Sequence, residues 1–169
     1  MILFVLTGTC GAGKSTIIKE LGSCLDGAAY CCMDSDDVGL NWWDYAGTDH
    51  ESQYADDCLK AAVRLADDKH VVFGTCMNPL DYFTKHTAPE SIEATFFIAL
   101  SASGAIIEQR LKERPAERDF TTPESRQPHI EYEEWFTRNG SKFQLFIDTS
   151  AQTPLETADI IAQHILKWS

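Results

Sequence analysis

The chain has 169 residues with 44% hydrophobic and 24% charged content, which describes one globular domain of ordinary size and excludes a disordered chain. Its 26 acidic residues against 14 basic ones leave a net charge of −12, a balance that disfavours binding to DNA, RNA or an anionic membrane surface. The longest apolar run, Met1–Leu6, is far short of the ~20 residues a bilayer span needs and lacks a basic leader, so neither a membrane segment nor a signal peptide is expected. Six cysteines without a CxxC pair suit a reduced compartment, and a cytoplasmic location is expected.

Apolar runs alternate with helical patterns along the whole length, the signature of βαβ units around a mostly parallel sheet. Five buried strands are expected at Ile2–Leu6, Ala28–Met33, Val71–Phe73, Ala94–Leu100 and Phe143–Ile147, all short and continuous in apolar character. Between them, Ile17, Ile18, Leu21 and Leu25 mark a first helix. Tyr54, Cys58, Ala61 and Leu65 mark a second, opened by a capping box at Thr48 and Glu51. Ile106, Ile107 and Leu111 mark a third, ending at Arg114 because Pro115 follows. Tyr132, Trp135 and Phe136 mark a fourth, closed by Gly140. The last opens at Thr153-Pro154-Leu155-Glu156 with an N-cap, an N1 proline and a capping glutamate. Two irregular polar stretches break this rhythm, one after the second strand (residues 34–49) and one at residues 115–128, and loops of that length are usually functional.

Gly8-Thr9-Cys10-Gly11-Ala12-Gly13-Lys14-Ser15 matches GxxxxGK[ST] at every fixed position, between a strand and a helix, with Thr16 next in line. Glycines let the backbone wrap a polyphosphate with its N–H groups turned inward, and the following helix aims its positive end at the same charge. Lys14 is placed to reach the β and γ phosphates of ATP, and the Ser15 hydroxyl to ligate Mg²⁺. Cys10, inside the loop, is read as incidental.

The chain has no guanine-reading NKxD element, and the run Val71-Val72-Phe73-Gly74-Thr75 ends in no acid. The apolar run closed by aspartate occurs instead at Tyr30-Cys31-Cys32-Met33-Asp34. In this the sequence resembles the small P-loop kinases: adenylate, shikimate and gluconate kinases and related nucleoside and antibiotic kinases. Asp34-Ser35-Asp36 looks like the DxD of the shikimate and gluconate branch. Arg110-Leu111-Lys112-Glu113-Arg114 looks like the RxxxR that leads into a mobile lid, here about residues 115–128 with Arg118 and Arg126. Asp148-Thr149-Ser150 resembles the turn that borders the nucleotide base, with Asp148 read as a structural turn residue rather than a metal ligand. The resemblance implies a three-layer α/β/α P-loop fold over residues 1–169, with a five-stranded parallel sheet in the order 2-3-1-4-5. It also implies Mg²⁺ held by Ser15 and Asp34, Asp36 as the base, and Arg110 and Arg114 closing on the phosphates.

In the resembling families the phosphate acceptor lies against the region after the second strand, here about 34–68, and the segment after the third. Glu20–Leu59 contains no lysine or arginine, and residues 34–68 carry ten acids against Lys60 and Arg64. Kinases of nucleoside monophosphates and of shikimate place cations there, so the expected acceptor is a small neutral or cationic molecule such as a nucleoside, a sugar or an antibiotic-like compound. Trp42 and Trp43 serve either as a stacking wall for a ring or as packing for the loop, and Asn78 follows the third strand. Arg64 reaching in from its helix would make a nucleoside monophosphate kinase. A regulatory module that binds ATP without turnover is the alternative of another class.

Overall fold

A computed structural model describes residues 1–169. Five strands, β1 (Ile2–Thr7), β2 (Tyr30–Asp34), β3 (His70–Thr75), β4 (Ala94–Ser101) and β5 (Leu145–Asp148), form one parallel sheet in the order β2-β3-β1-β4-β5. Side chains alternate along β1, so Phe4 and Leu6 enter one core while Leu3 and Val5 enter the other. The first core is roofed by α1 (Lys14–Cys24), α4 (Gly104–Lys112) and α6 (Pro154–Trp168), the second by α2 (Tyr54–Ala66), α3 (Pro79–Lys85) and α5 (Pro123–Arg138). Burial on both faces is why the strands read as continuous apolar runs.

The three-layer architecture and the strand order match the expectation; four local features do not. Thr48 and Glu51 form no capping box for the second helix: the Glu51 carboxylate accepts from Gly47 N–H, the Thr48 hydroxyl accepts from His50 N–H, and α2 starts only at Tyr54. Leu65 points to solvent, 58% exposed, while Leu59, Ala62 and Ala66 carry the buried stripe. Helix α3 was not expected, although Asn78 caps it by accepting from Asp81 N–H and Pro79 opens it. Most consequentially, α5 begins at Pro123 under a Thr122 cap, so the irregular stretch expected at 115–128, the candidate lid, ends at residue 122. Pro128 sits inside the helix on its exposed side, where it forgoes one backbone bond.

Candidate active site

The phosphate loop joins β1 to α1 at the carboxyl edge of the sheet, the edge at which open α/β sheets take ligands. Gly8 admits no side chain, since a Cβ there would lie 2.5 Å from the Leu100 carbonyl oxygen. Gly13, at φ 100°, holds the left-handed conformation that lets the loop turn directly into α1. Lys14 donates to the carbonyls of Gly8 (2.9 Å) and Thr9 (3.0 Å) and to Cys76 Sγ (3.3 Å). Burial works against its charge, but the neighbouring Cys76 and Cys10 outweigh it and raise its pKa.

The strand after α1 brings a carboxylate to the phosphate loop. Asp34 ends β2, is buried, and accepts through Oδ2 from the Ser15 hydroxyl at 3.0 Å. Its Oδ1 accepts from Ser35 Oγ and Asp36 N–H, which fixes the ring of atoms in a short 3₁₀ turn, Ser35–Asp37. Gly74 on β3 makes the room: a Cβ there would meet Asp34 Oδ2 at 2.9 Å and Ile18 at 3.1 Å. Gly74 is thus a site-shaping residue that the sequence reading passed over; its register partner is Asp34 itself. A hydroxyl and a carboxylate in this contact are hard oxygen donors, the set that Mg²⁺ takes alongside phosphate oxygens and water. Asp36 sits half-exposed two residues on, and Arg118 of the lid pairs with its Oδ2 at 2.8 Å. Residues 34–59 hold no lysine or arginine, so the cation beside Asp36 comes from a distant part of the chain.

On the other flank a cavity of about 330 Å³ is lined by Gly11, Ala12, Gly13, Thr16, Ile17, Arg110, Glu113, Arg114, Thr149, Gln152, Pro154 and Thr157. Arg110 and Arg114, four residues apart, share the face that opens into it. Arg110 is pinned by the Gly11 carbonyl (3.1 Å) and by Thr149, whose hydroxyl and carbonyl both accept at 3.3 Å. Arg114 lies over the Phe120 ring, 5.6 Å from its centroid, and so braces the lid. Thr149 lines the cavity as expected, whereas Asp148 does not: its carboxylate accepts from Ser150 N–H in a turn, which lowers its pKa. Gln152, Glu113 and Thr157 line the cavity without any motif having pointed to them.

Three further expected residues stand elsewhere. Arg64 is exposed on the last turn of α2, ten residues or ~15 Å beyond its start at Tyr54. That turn leads into the amino end of β3, so Arg64 lies at the edge of the sheet opposite the phosphate loop. Asn78 is buried as the α3 cap, its amide donating to Asp81 Oδ2 (2.6 Å) and Tyr132 OH (3.0 Å). Arg126 is not a free lid arginine: buried, it donates to the Phe120 carbonyl at 2.9 Å and approaches Glu108 at 3.8 Å. Trp42 packs edge-on against Tyr54, ring centroids 5.3 Å apart, while Trp43 is 60% exposed beside it. Cys10, expected to be incidental, faces Cys76 with the sulfurs 4.0 Å apart. The hydrogen bond from Cys76 lowers the Cys10 pKa to about 6, with help from Lys14 and Arg114, while Cys76 retains the shared proton and is raised. His129 of α5 closes the group, its carbonyl accepting from Thr9 Oγ1 at 2.9 Å.

No protein-family model and no curated protein matches the sequence. Solved structures do match it over its whole length. Shikimate kinase from Acinetobacter baumannii in complex with shikimate aligns over 100% of this chain and 95% of its own, with a TM-score of 0.65 at 18% identity. A gluconokinase from Sinorhizobium meliloti 1021 aligns over 99% and 97%, with a TM-score of 0.61 at 21% identity. Deoxyadenosine kinase from M. mycoides, with dCMP and dCDP bound, aligns over 99% and 100%, with a TM-score of 0.60 at 18% identity. The fold is that of the P-loop kinases. No helix of this chain is long and apolar enough to cross a membrane.

Proposed function

We propose that residues 1–169 form one kinase domain that transfers the γ-phosphate of ATP to a hydroxyl of a small neutral or cationic molecule. The observation that carries this reading is the 3.0 Å contact between Ser15 of the phosphate loop and Asp34 at the end of β2, with Asp36 two residues further on. A module that only binds nucleotide needs the loop but not a pair of carboxylates facing it. Arg64, at the opposite edge of the sheet, supplies no cation for a nucleoside monophosphate, and the Arg118 guanidinium that does reach this side is already paired with Asp36.

In this reading the loop from Gly8 to Thr16 cradles the phosphates, and Arg110, Thr149 and Gln152 border the rest of the nucleotide. Mg²⁺, held by Ser15 and Asp34, supplies charge neutralisation for the phosphate oxygens when bound. Arg118 holds Oδ2 of Asp36 and leaves Oδ1 to take the proton from the acceptor hydroxyl. The hydroxyl oxygen then bonds to the γ-phosphorus as the bond to the ADP oxygen breaks. Lys14 and Arg114 carry the charge that spreads over the transferred group. The lid at 115–122 closes over the site, which keeps water from becoming the acceptor.

A coupled ADP-release screen against nucleosides, nucleoside monophosphates, sugars and aminoglycosides tests the proposal. Acceptor-dependent ADP release is expected, lost in Lys14→Ala. A panel without any acceptor-dependent release overturns the kinase reading, and a monophosphate outperforming every neutral compound overturns the acceptor class.

A further inference from the structure

Cys10 and Cys76 belong to different elements, 66 residues apart in sequence, yet their sulfurs stand 4.0 Å apart beside the lysine of the phosphate loop. A disulfide needs about 2.0 Å between sulfurs, a gap that side-chain rotation closes where both backbones already lie alongside each other. They do so here. Thr7 Oγ1 donates to the Met77 carbonyl (2.5 Å), which ties the end of β1 to the residue after Cys76, and Tyr132 OH donates to the Cys76 carbonyl (2.8 Å). Lys14 touches Cys76 Sγ at 3.3 Å, the electropositive setting in which a thiolate forms and reacts. Both residues are partly open to solvent. Cys24, Cys32 and Cys58 differ, since burial pushes each of those thiols up; Cys10 alone is pushed down.

We infer that Cys10 and Cys76 form a reversible dithiol–disulfide modification site that disables the phosphate loop when oxidised by a hydroperoxide. Cys10 sulfur attacks the terminal peroxide oxygen, an S–O bond forms as the O–O bond breaks, and the leaving oxygen takes a proton and departs as an alcohol, or as water from hydrogen peroxide. Cys76 then attacks the Cys10 sulfur, the S–S bond forms, the S–O bond breaks and water leaves. The two thiols lose two electrons and two protons in total, and the peroxide gains them. A low-molecular-weight thiol reverses the step by exchange. Cys10 lies between Thr9 and Gly11, so drawing its sulfur onto Cys76 pulls one residue of the cradle toward the loop after β3. Lys14, in contact with Cys76 Sγ, loses the negative charge of the neighbouring Cys10 thiolate in the same event.

The disulfide itself does not depend on the kinase reading; its effect on nucleotide binding rests on it, and the test separates the two. The wild-type protein is treated with hydrogen peroxide, alkylated and mapped by non-reducing peptide mass spectrometry. In parallel, the thermal shift with ATP and Mg²⁺ is measured before oxidation, after it, and after dithiothreitol. The expected product is a linked pair of peptides containing Cys10 and Cys76, with the shift present, lost and restored in turn. Cys76→Ser should stop Cys10 at the sulfenic acid, trapped by dimedone. Over-oxidation of Cys10 without a link, a link between other cysteines, or no reaction overturns the site. A linked protein that keeps its ATP shift overturns the switch. A reduced protein with no ATP shift at all refutes the nucleotide reading while the linked peptides still stand.

Discussion

Asp34 sits where it does because Gly74 is a glycine. With a Cβ 2.9 Å from its Oδ2, the carboxylate would have to leave the Ser15 hydroxyl, and β3 backbone cannot move aside in mid-sheet. Gly74→Ala is therefore expected to raise the Mg²⁺ concentration needed for half-maximal turnover by tenfold or so, about 1.4 kcal/mol, while the acceptor KM changes little. A Mg²⁺ titration of the variant checks this. Asp36 is the contrasting case. Asp36→Asn should cut kcat by two orders of magnitude or more while ATP-induced stabilisation survives, because a general base contributes about that much and does not hold the nucleotide. Near wild-type turnover at saturating substrates would remove Asp36 as the base. Glu133 tests a different residue-level effect. It is buried on α5 and accepts from the Ser101 hydroxyl, but its Oε2 has no partner, and burial raises its pKa. A carboxyl whose folded pKa is raised contributes stability below its unfolded pKa that is lost as pH rises through the folded one. Glu133→Gln, uncharged at every pH, should gain in Tm relative to wild type as pH rises from mildly acid to neutral, with the difference shrinking at acid pH.

At the scale of elements, the lid is where sequence and structure part company. Its arginines look alike in sequence, yet Arg118 pairs with Asp36 across the site, Arg114 braces Phe120, and Arg126 is buried as the peg that holds residue 120 to α5. Local spacing reveals helix faces but not which side chain a neighbouring loop will cover, so the three roles had to come from tertiary contacts. The same reason hides Cys76 from Cys10 and Gly74 from Asp34: each pair joins segments that only the sheet order brings together. What is local was legible. The strands and the α6 cap correspond to the structure, because continuous burial and capping chemistry are written in neighbouring residues, whereas the order 2-3-1-4-5 came from the family resemblance. Helical spacing places Arg64 on α2 but does not say which end of that helix faces the ligand edge, which the parallel strand order decides. Arg126→Met should destabilise the protein by about 2 kcal/mol, through the lost bond to the Phe120 carbonyl, and loosen residues 115–122. Denaturant unfolding reads the first effect and hydrogen exchange of the lid the second. Retained lid protection in this variant would place the peg elsewhere.

The whole molecule adds a field that no single residue supplies. At −12 it is strongly anionic, and residues 34–68 carry a large share of that charge, with ten acids against Lys60 and Arg64, of which Asp67 and Asp68 lie past the end of α2, away from Asp36. Arg118 offsets one of these acids by pairing with Asp36, and Lys60 pairs with Asp57 on the α2 surface. Concentrated charge of one sign raises the local concentration of ligands of the other sign, and salt screens it over a Debye length of about 10 Å at 0.1 M. A cationic acceptor should therefore lose kcat/KM as ionic strength rises, chiefly through KM, whereas a neutral acceptor of similar size should show a flat profile. In the proposed reading ATP occupies the other flank, lined by Arg110 and Arg114, and its own KM should respond in a different way. The measurement is kcat/KM for one cationic and one neutral acceptor from the screen, each taken from low to high salt at saturating ATP. Parallel slopes for the two would mean that the acidic region does not face the acceptor. A steeper fall for the cation would show that these acids, and not the pocket walls alone, select what reaches Asp36.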